Sequence, residues 1–165
     1  MYIYSKTKHG FTLIELLVVI VIIGILAALI STNLFGARQR ASDSQKKSNL
    51  KQLKIALHSY YATYHKYPTD SNGLYINGCG ASGTTRCSNT GSFSAGGTEY
   101  LSKIPSDFRY YQCNGGDDFR IKVGLTGASD SEIAEGKARC PAATCVGQNL
   151  NYDSTVNSDY VLCGE

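Results

Sequence analysis

Charge is scarce where this sequence begins: between Phe11 and Phe35 the only charged residue is Glu15. No proline occurs before Pro68, so nothing ahead of it forbids a long helix. The net charge of +3 is too mild to mark a nucleic-acid binder on electrostatics alone. CxxC pairs with flanking histidines are missing, which argues against a structural zinc site. No small-x-small cleavage site follows the apolar run, so an ordinary cleaved secretory signal fits poorly. There is no internal repeat. Nor is there a nucleophile–base constellation of the kind covalent catalysis needs, and no enzyme activity is expected.

What is present is unevenly spread. Hydrophobic residues make up 42% of the chain, and FTLIELLVVIVIIGILAALI carries a dense share of them. That run is long enough to span a bilayer as a helix. The remainder is polar and rich in glycine and serine, so a head of about a hundred residues must build a small core. All six cysteines (Cys79, Cys87, Cys113, Cys140, Cys145 and Cys163) lie beyond the apolar run. An even number in a small glycine-rich region reads as a disulfide framework formed in an oxidising compartment. Arg38, Arg40, Lys46, Lys47 and Lys51 follow the span while only Lys6 and Lys8 precede it, a positive-inside count that points the other way. The cysteines decide for an extracytoplasmic head.

From Ser31 to His65 the pattern is helical again. Leu50, Leu53, Leu57, Tyr60 and Tyr64 recur at steps of three and four and draw one apolar stripe. Asp43 and Lys47 stand four apart in the favourable acid-first order, and Pro68 closes the run. If continuous from Phe11, the helix measures about 80 Å. Residues 69–99, dense in glycine, read as an irregular loop pinned by Cys79 and Cys87. FRYYQC and DFRIKVGL flank Asn114-Gly115-Gly116 and predict a hairpin. SDYVLC predicts a third strand, and residues 126–157 read as loop. Six cysteines allow fifteen connectivities. Proximity favours Cys79–Cys87 and Cys140–Cys145, leaving Cys113 and Cys163 to join the first and last strands.

The fold expected is α+β, a long N-terminal helix packed through its second half on a small antiparallel sheet. Tyr60, Tyr61, Tyr64 and Tyr67 are read as core packing. Lys47, Lys51 and Lys54 are read as a solvated face, and nucleic acid is not expected as a partner. His58 and His65, two turns apart, are read as surface or boundary residues.

The residues G-F-T-L-I-E at 10–15, preceded by Lys6 and Lys8 and followed by the apolar span, resemble the leader and N-terminal helix of bacterial type IV pilins and pseudopilins. The likeness continues more loosely to KYPTDSNGL at 66–74 and YLSKIPSD at 100–107. It implies a leader at 1–10, a long helix at 11–66 with its membrane or fibre-core part at 11–35, and a pilin-like head at 67–165. It also implies cleavage between Gly10 and Phe11 by a prepilin peptidase, with methylation of the new Phe11 amine. Gly10 suits a scissile position because glycine lets the backbone enter a tight site.

A carboxylate one turn into a membrane helix costs on the order of a few kcal/mol and marks function. The resemblance assigns Glu15 to assembly, neutralising the terminal amine of a neighbouring copy. At a separation of about 4 Å and an effective dielectric near 20 that attraction is worth about 4 kcal/mol. Gly24 matches the family's glycine and is the helix-break candidate, while Thr32 stands where many members carry proline. Expected partners are further copies of the chain in a helical filament, the peptidase, an inner-membrane assembly platform and the bilayer. Expected locations are the cytoplasmic membrane before assembly and an extracellular filament after it. No cofactor is expected; calcium near Asp153 and Asp159 is the one weighed. The function implied is a structural subunit of a type IV pilus-like filament. The alternatives are a pseudopilin of a type II secretion or DNA-uptake machine and, from another class, a membrane-anchored binding domain.

Overall fold

The computed structural model describes residues 10–126, 131–140, 145 and 158–164, with the backbone alone for 29–34. Helix α1 covers Leu13–Tyr64 without interruption, as the absence of proline permits. It stops where His65 turns left-handed at φ 53°, its N–H donating to Tyr61 O at 2.8 Å. A single bond of that kind satisfies one of the helix's last carbonyls, and Pro68 lies three residues on. The chain divides into two compact units, Met1–Arg38 and Gln39–Glu165.

In the second unit the predicted stripe is the core. Leu50, Leu53, Leu57 and Tyr60 are buried together with Ile76, Phe93, Tyr110, Phe119, Ile121 and Val123. The sheet facing them is β6 (Phe108–Cys113), β7 (Asp118–Gly124) and β8 (Asp159–Cys163), antiparallel in the order β6-β7-β8. The β6–β7 register runs from Phe108↔Val123 to Cys113↔Asp118, and β7–β8 from Arg120↔Cys163 to Gly124↔Asp159. Asn114, Gly115 and Gly116 reverse the chain between β6 and β7 in a 3-10 turn, all at positive φ. Glycine relieves two of those three positions of a Cβ clash.

Two expectations for the head's secondary structure require correction. Residues 69–99 are more than loop: they hold β1 (Thr69–Asp70), β2 (Ile76–Cys79), β3 (Thr85–Arg86) and β4 (Phe93–Ala95). Strands β1–β2–β3 form one small sheet, and β4 pairs with β5 (Thr98–Leu101). Burial of Ile76, Phe93 and Ala95 under Leu57 and Tyr60 supplies what local propensity does not. Residues 126–157 also include a helix, α2 (Ser131–Arg139). It carries Glu132 in its first turn and Lys137 and Arg139 in its last, matching the helix dipole, and it buries Ile133 and Gly136.

The disulfides are Cys79–Cys87, Cys113–Cys145 and Cys140–Cys163. Cys140 therefore does not close a turn with Cys145, and Cys113 does not join Cys163. Helix α2 lies along β8 and delivers Cys140 to the end of that strand, with Cα atoms 5.8 Å apart. Cys145 reaches Cys113 at the end of β6, Cα atoms 4.7 Å apart. Sequence proximity loses to the placement of α2, which runs along β8 and ends at Arg139 beside Cys140.

Candidate assembly and processing site

In the first unit, Thr12 and Glu15 form a reciprocal cap on α1. The Thr12 N–H and hydroxyl donate to Glu15 Oε2 at 2.9 and 2.8 Å, and the Glu15 N–H donates to Thr12 Oγ1 at 3.4 Å. This is the T-x-x-E capping box, which satisfies amides that have no intrahelical partner. It holds the carboxylate against the first turn of the helix. Thr12 was missed in the sequence reading although its signal, a threonine three residues before a glutamate at the start of an apolar run, is legible there. Gly10 stands in open space with nothing within 4 Å of a Cβ built on it, and Phe11 beside it is 85% exposed.

Beyond the cap the helix shows apolar side chains on every side. Leu13, Ile14, Leu16, Leu17 and each large apolar residue on to Leu26 are exposed. An exposed apolar surface this continuous is far outside what a monomer leaves in water. Among the described residues, no helix is long and apolar enough to cross a membrane. The apolar sequence runs on within α1 to Phe35, through the residues described by backbone alone. Gly24, the helix-break candidate, lies within α1.

The head's charged residues serve packing. Asp43 is buried and accepts from the Thr126 N–H and hydroxyl at 2.9 and 3.1 Å, while Lys46 donates to Gly124 O at 2.9 Å. Lys47 reaches Glu132 at 3.3 Å and lies over the Tyr160 ring. Lys51 and Lys54 border a cleft of about 260 Å³ that also contains Glu132, Glu135 and Arg139, a lining of mixed sign. Tyr60 and Tyr64 stack at 4.4 Å, Tyr60 reaches Phe93 at 5.5 Å, and Tyr61 and Tyr67 meet at 4.6 Å. Those tyrosines pack the core.

All six cysteines are paired, leaving no thiol free. Asp159 is engaged by Lys122 at 3.0 Å, and Asp153, the other carboxylate weighed for calcium, lies outside the described residues. Among the described residues, no group of three or more His, Cys, Asp or Glu could hold a metal ion.

Comparison with known proteins places this geometry. The family described as Prokaryotic N-terminal methylation motif matches residues 5–31, the segment that holds Gly10, Phe11 and Glu15. A type II secretion system core protein G of Vibrio cholerae is 33% identical over 136 residues, covering 79% of this chain and 88% of that protein. The chain belongs to the type IV pilin and pseudopilin family. Within that family it is also similar to type II secretion system core protein G of Escherichia coli K12, 45% identical over 70 residues. That match covers 42% of the chain and 48% of the relative, and the one to the Aeromonas hydrophila protein covers 49% of it. The chain thus spans about half the length of these relatives. The type IV major pilin protein PilA of Myxococcus xanthus is 38% identical over 71 residues, 43% of this chain and 32% of that protein. No solved structure matches the chain significantly.

Proposed function

We propose that the chain is the precursor of a structural subunit of a type IV pilus-like filament. Prepilin peptidase cuts it between Gly10 and Phe11 and methylates the new amine. The apolar part of α1 then holds the subunit in the cytoplasmic membrane as a single pass, with the disulfide-bonded head on the extracytoplasmic side. On assembly the same surface leaves lipid for neighbouring copies, and Glu15 meets the Phe11 amine of an adjacent subunit. The reading gives the chain no cofactor and no reaction of its own. One observation carries it: a helix whose large apolar side chains from Leu13 to Leu26 are exposed, bearing one carboxylate at its capped start.

Substitution of that carboxylate is the test. In cells with the native assembly machinery, Glu15→Ala should be cleaved and retained in the membrane, with at least tenfold less subunit in the sheared surface fraction. Shearing of the variant at the wild-type level would remove Glu15 from assembly. The Vibrio cholerae match, which spans most of both chains, favours a second reading in which the filament belongs to a type II secretion machine. Deletion of the gene would then stop exoprotein export; unaffected export together with long surface fibres would favour the pilus.

A further inference from the structure

Asparagine followed by glycine occurs three times, at Asn72-Gly73, Asn77-Gly78 and Asn114-Gly115. The pair is chemically labile, because a residue without a Cβ lets its own amide nitrogen reach the preceding carboxamide. The fold treats the three pairs differently. Asn77 lies in β2, paired on one side with Thr69 and on the other with Arg86. Its Nδ2 donates to Ser71 Oγ at 3.1 Å, and a Cβ on the buried Gly78 would stand 2.8 Å from the Pro68 ring. Asn72 is exposed, but the N–H of Gly73 after it donates to Asp70 Oδ2 at 3.0 Å, and a Cβ on that glycine would run into the Tyr111 ring.

Asn114 has neither restraint. It is exposed and begins the 3-10 turn between β6 and β7. The N–H of the second residue in such a turn precedes the first bond made within it, so the Gly115 nitrogen is not spent there. A Cβ built on Gly115 meets nothing within 4 Å, so water and base reach that nitrogen.

We propose that Asn114 is a site of spontaneous deamidation, selected by the fold over Asn72 and Asn77. Solvent base takes the Gly115 amide proton, and the nitrogen attacks Asn114 Cγ. The new N–Cγ bond closes a succinimide ring; the Cγ–Nδ2 bond breaks, and Nδ2 takes a proton from solvent and leaves as ammonia. Water then opens the ring. Cleavage of the N–Cγ bond gives aspartate. Cleavage of the bond from that nitrogen to the Asn114 backbone carbonyl carbon gives isoaspartate, whose main chain runs through Cγ. One water is consumed and one ammonia released, with no oxidant or reductant. Either product sets a new carboxylate beside Asp117 and Asp118. Isoaspartate also lengthens the main chain in the turn whose Gly116 O accepts from the Tyr67 N–H at 2.8 Å. The mark accumulates with the age of the chain, and the inference stands whether or not the chain forms filaments.

Peptide mapping of the full chain, held folded in detergent micelles in warm, mildly alkaline buffer, tests it. Trypsin separates the sites, since residues 110–120 carry Asn114 and residues 67–86 carry Asn72 and Asn77. During the incubation the 110–120 peptide should exchange an NH for an O and resolve by chromatography into aspartate and isoaspartate forms. Conversion at Asn114 should run at least about fivefold faster than at Asn72 or Asn77. In chain reduced and unfolded in guanidinium the three rates should converge to within about twofold. Asn72 or Asn77 keeping pace with Asn114 in the folded chain would overturn the proposal. So would an Asn114 that stays unconverted, or one that keeps the same lead in the unfolded chain.

Discussion

Tyr110 shows what a single residue does in this head. Among the described residues it is the largest fully buried side chain, and its hydroxyl donates to Pro68 O at 2.6 Å, locking β6 to the residue that follows the helix exit. Burial first, and then the Asp70 carboxylate, hold its phenol well above the ordinary value of 10. Above that pH the unfolded chain releases a proton that the folded chain keeps, so stability falls as pH rises. Spectroscopic titration of the folded chain should leave Tyr110 un-ionised after exposed tyrosines have titrated, and Tyr110→Phe should weaken the alkaline loss of stability. Equal alkaline sensitivity in that variant would contradict this assignment. Legibility at this scale depends on distance along the chain. The Thr12–Glu15 cap was legible because it is local. Asp43 was read against Lys47, one turn away, whereas its bonds to Thr126 come from a residue 83 positions on. No pattern in the sequence links those two.

Elements with a period were legible. Helix α1 announces itself by its stripe and ends near Pro68; the hairpin announces itself by Asn114-Gly115-Gly116 between alternating residues. The short strands β1 to β5 are two to four residues each, too brief for an alternation to show, and packing defines them. Helix α2 was missed because it is only nine residues long, shows no extended apolar stripe and carries Gly136 in its interior. The structure explains that glycine. A Cβ at 136 would lie 2.7 Å from Val161 O, and backbone in a paired strand cannot give way. Gly136→Ala would gain about 1 kcal/mol of helix propensity. It would lose about 1–3 kcal/mol or more to overpacking. Chemical denaturation should show a net loss, and a stabilised variant would contradict the close contact of α2 on β8.

At the scale of the whole chain, the disulfides compensate for a small core. In the chain-entropy account the 32-residue Cys113–Cys145 link contributes about 3–4 kcal/mol and the 8-residue Cys79–Cys87 link about 2–3 kcal/mol. Cys113→Ala with Cys145→Ala should therefore destabilise the head more than Cys79→Ala with Cys87→Ala. Non-reducing peptide mapping should return Cys140 joined to Cys163; a Cys140–Cys145 peptide would overturn the path drawn for α2. Pairing was illegible in the sequence because it depends on that path.

The account's central claim is that this chain is cut, moved out of the membrane and built into a fibre through its first helix. Mass spectrometry of the intact protein and its N-terminal peptide, on material sheared from cells with the native machinery, tests it most directly. The account predicts a chain that begins at N-methylated Phe11 and is present in the sheared fraction. Uncut protein beginning at Met1 and confined to the membrane would contradict it and leave a membrane-anchored binding domain in its place.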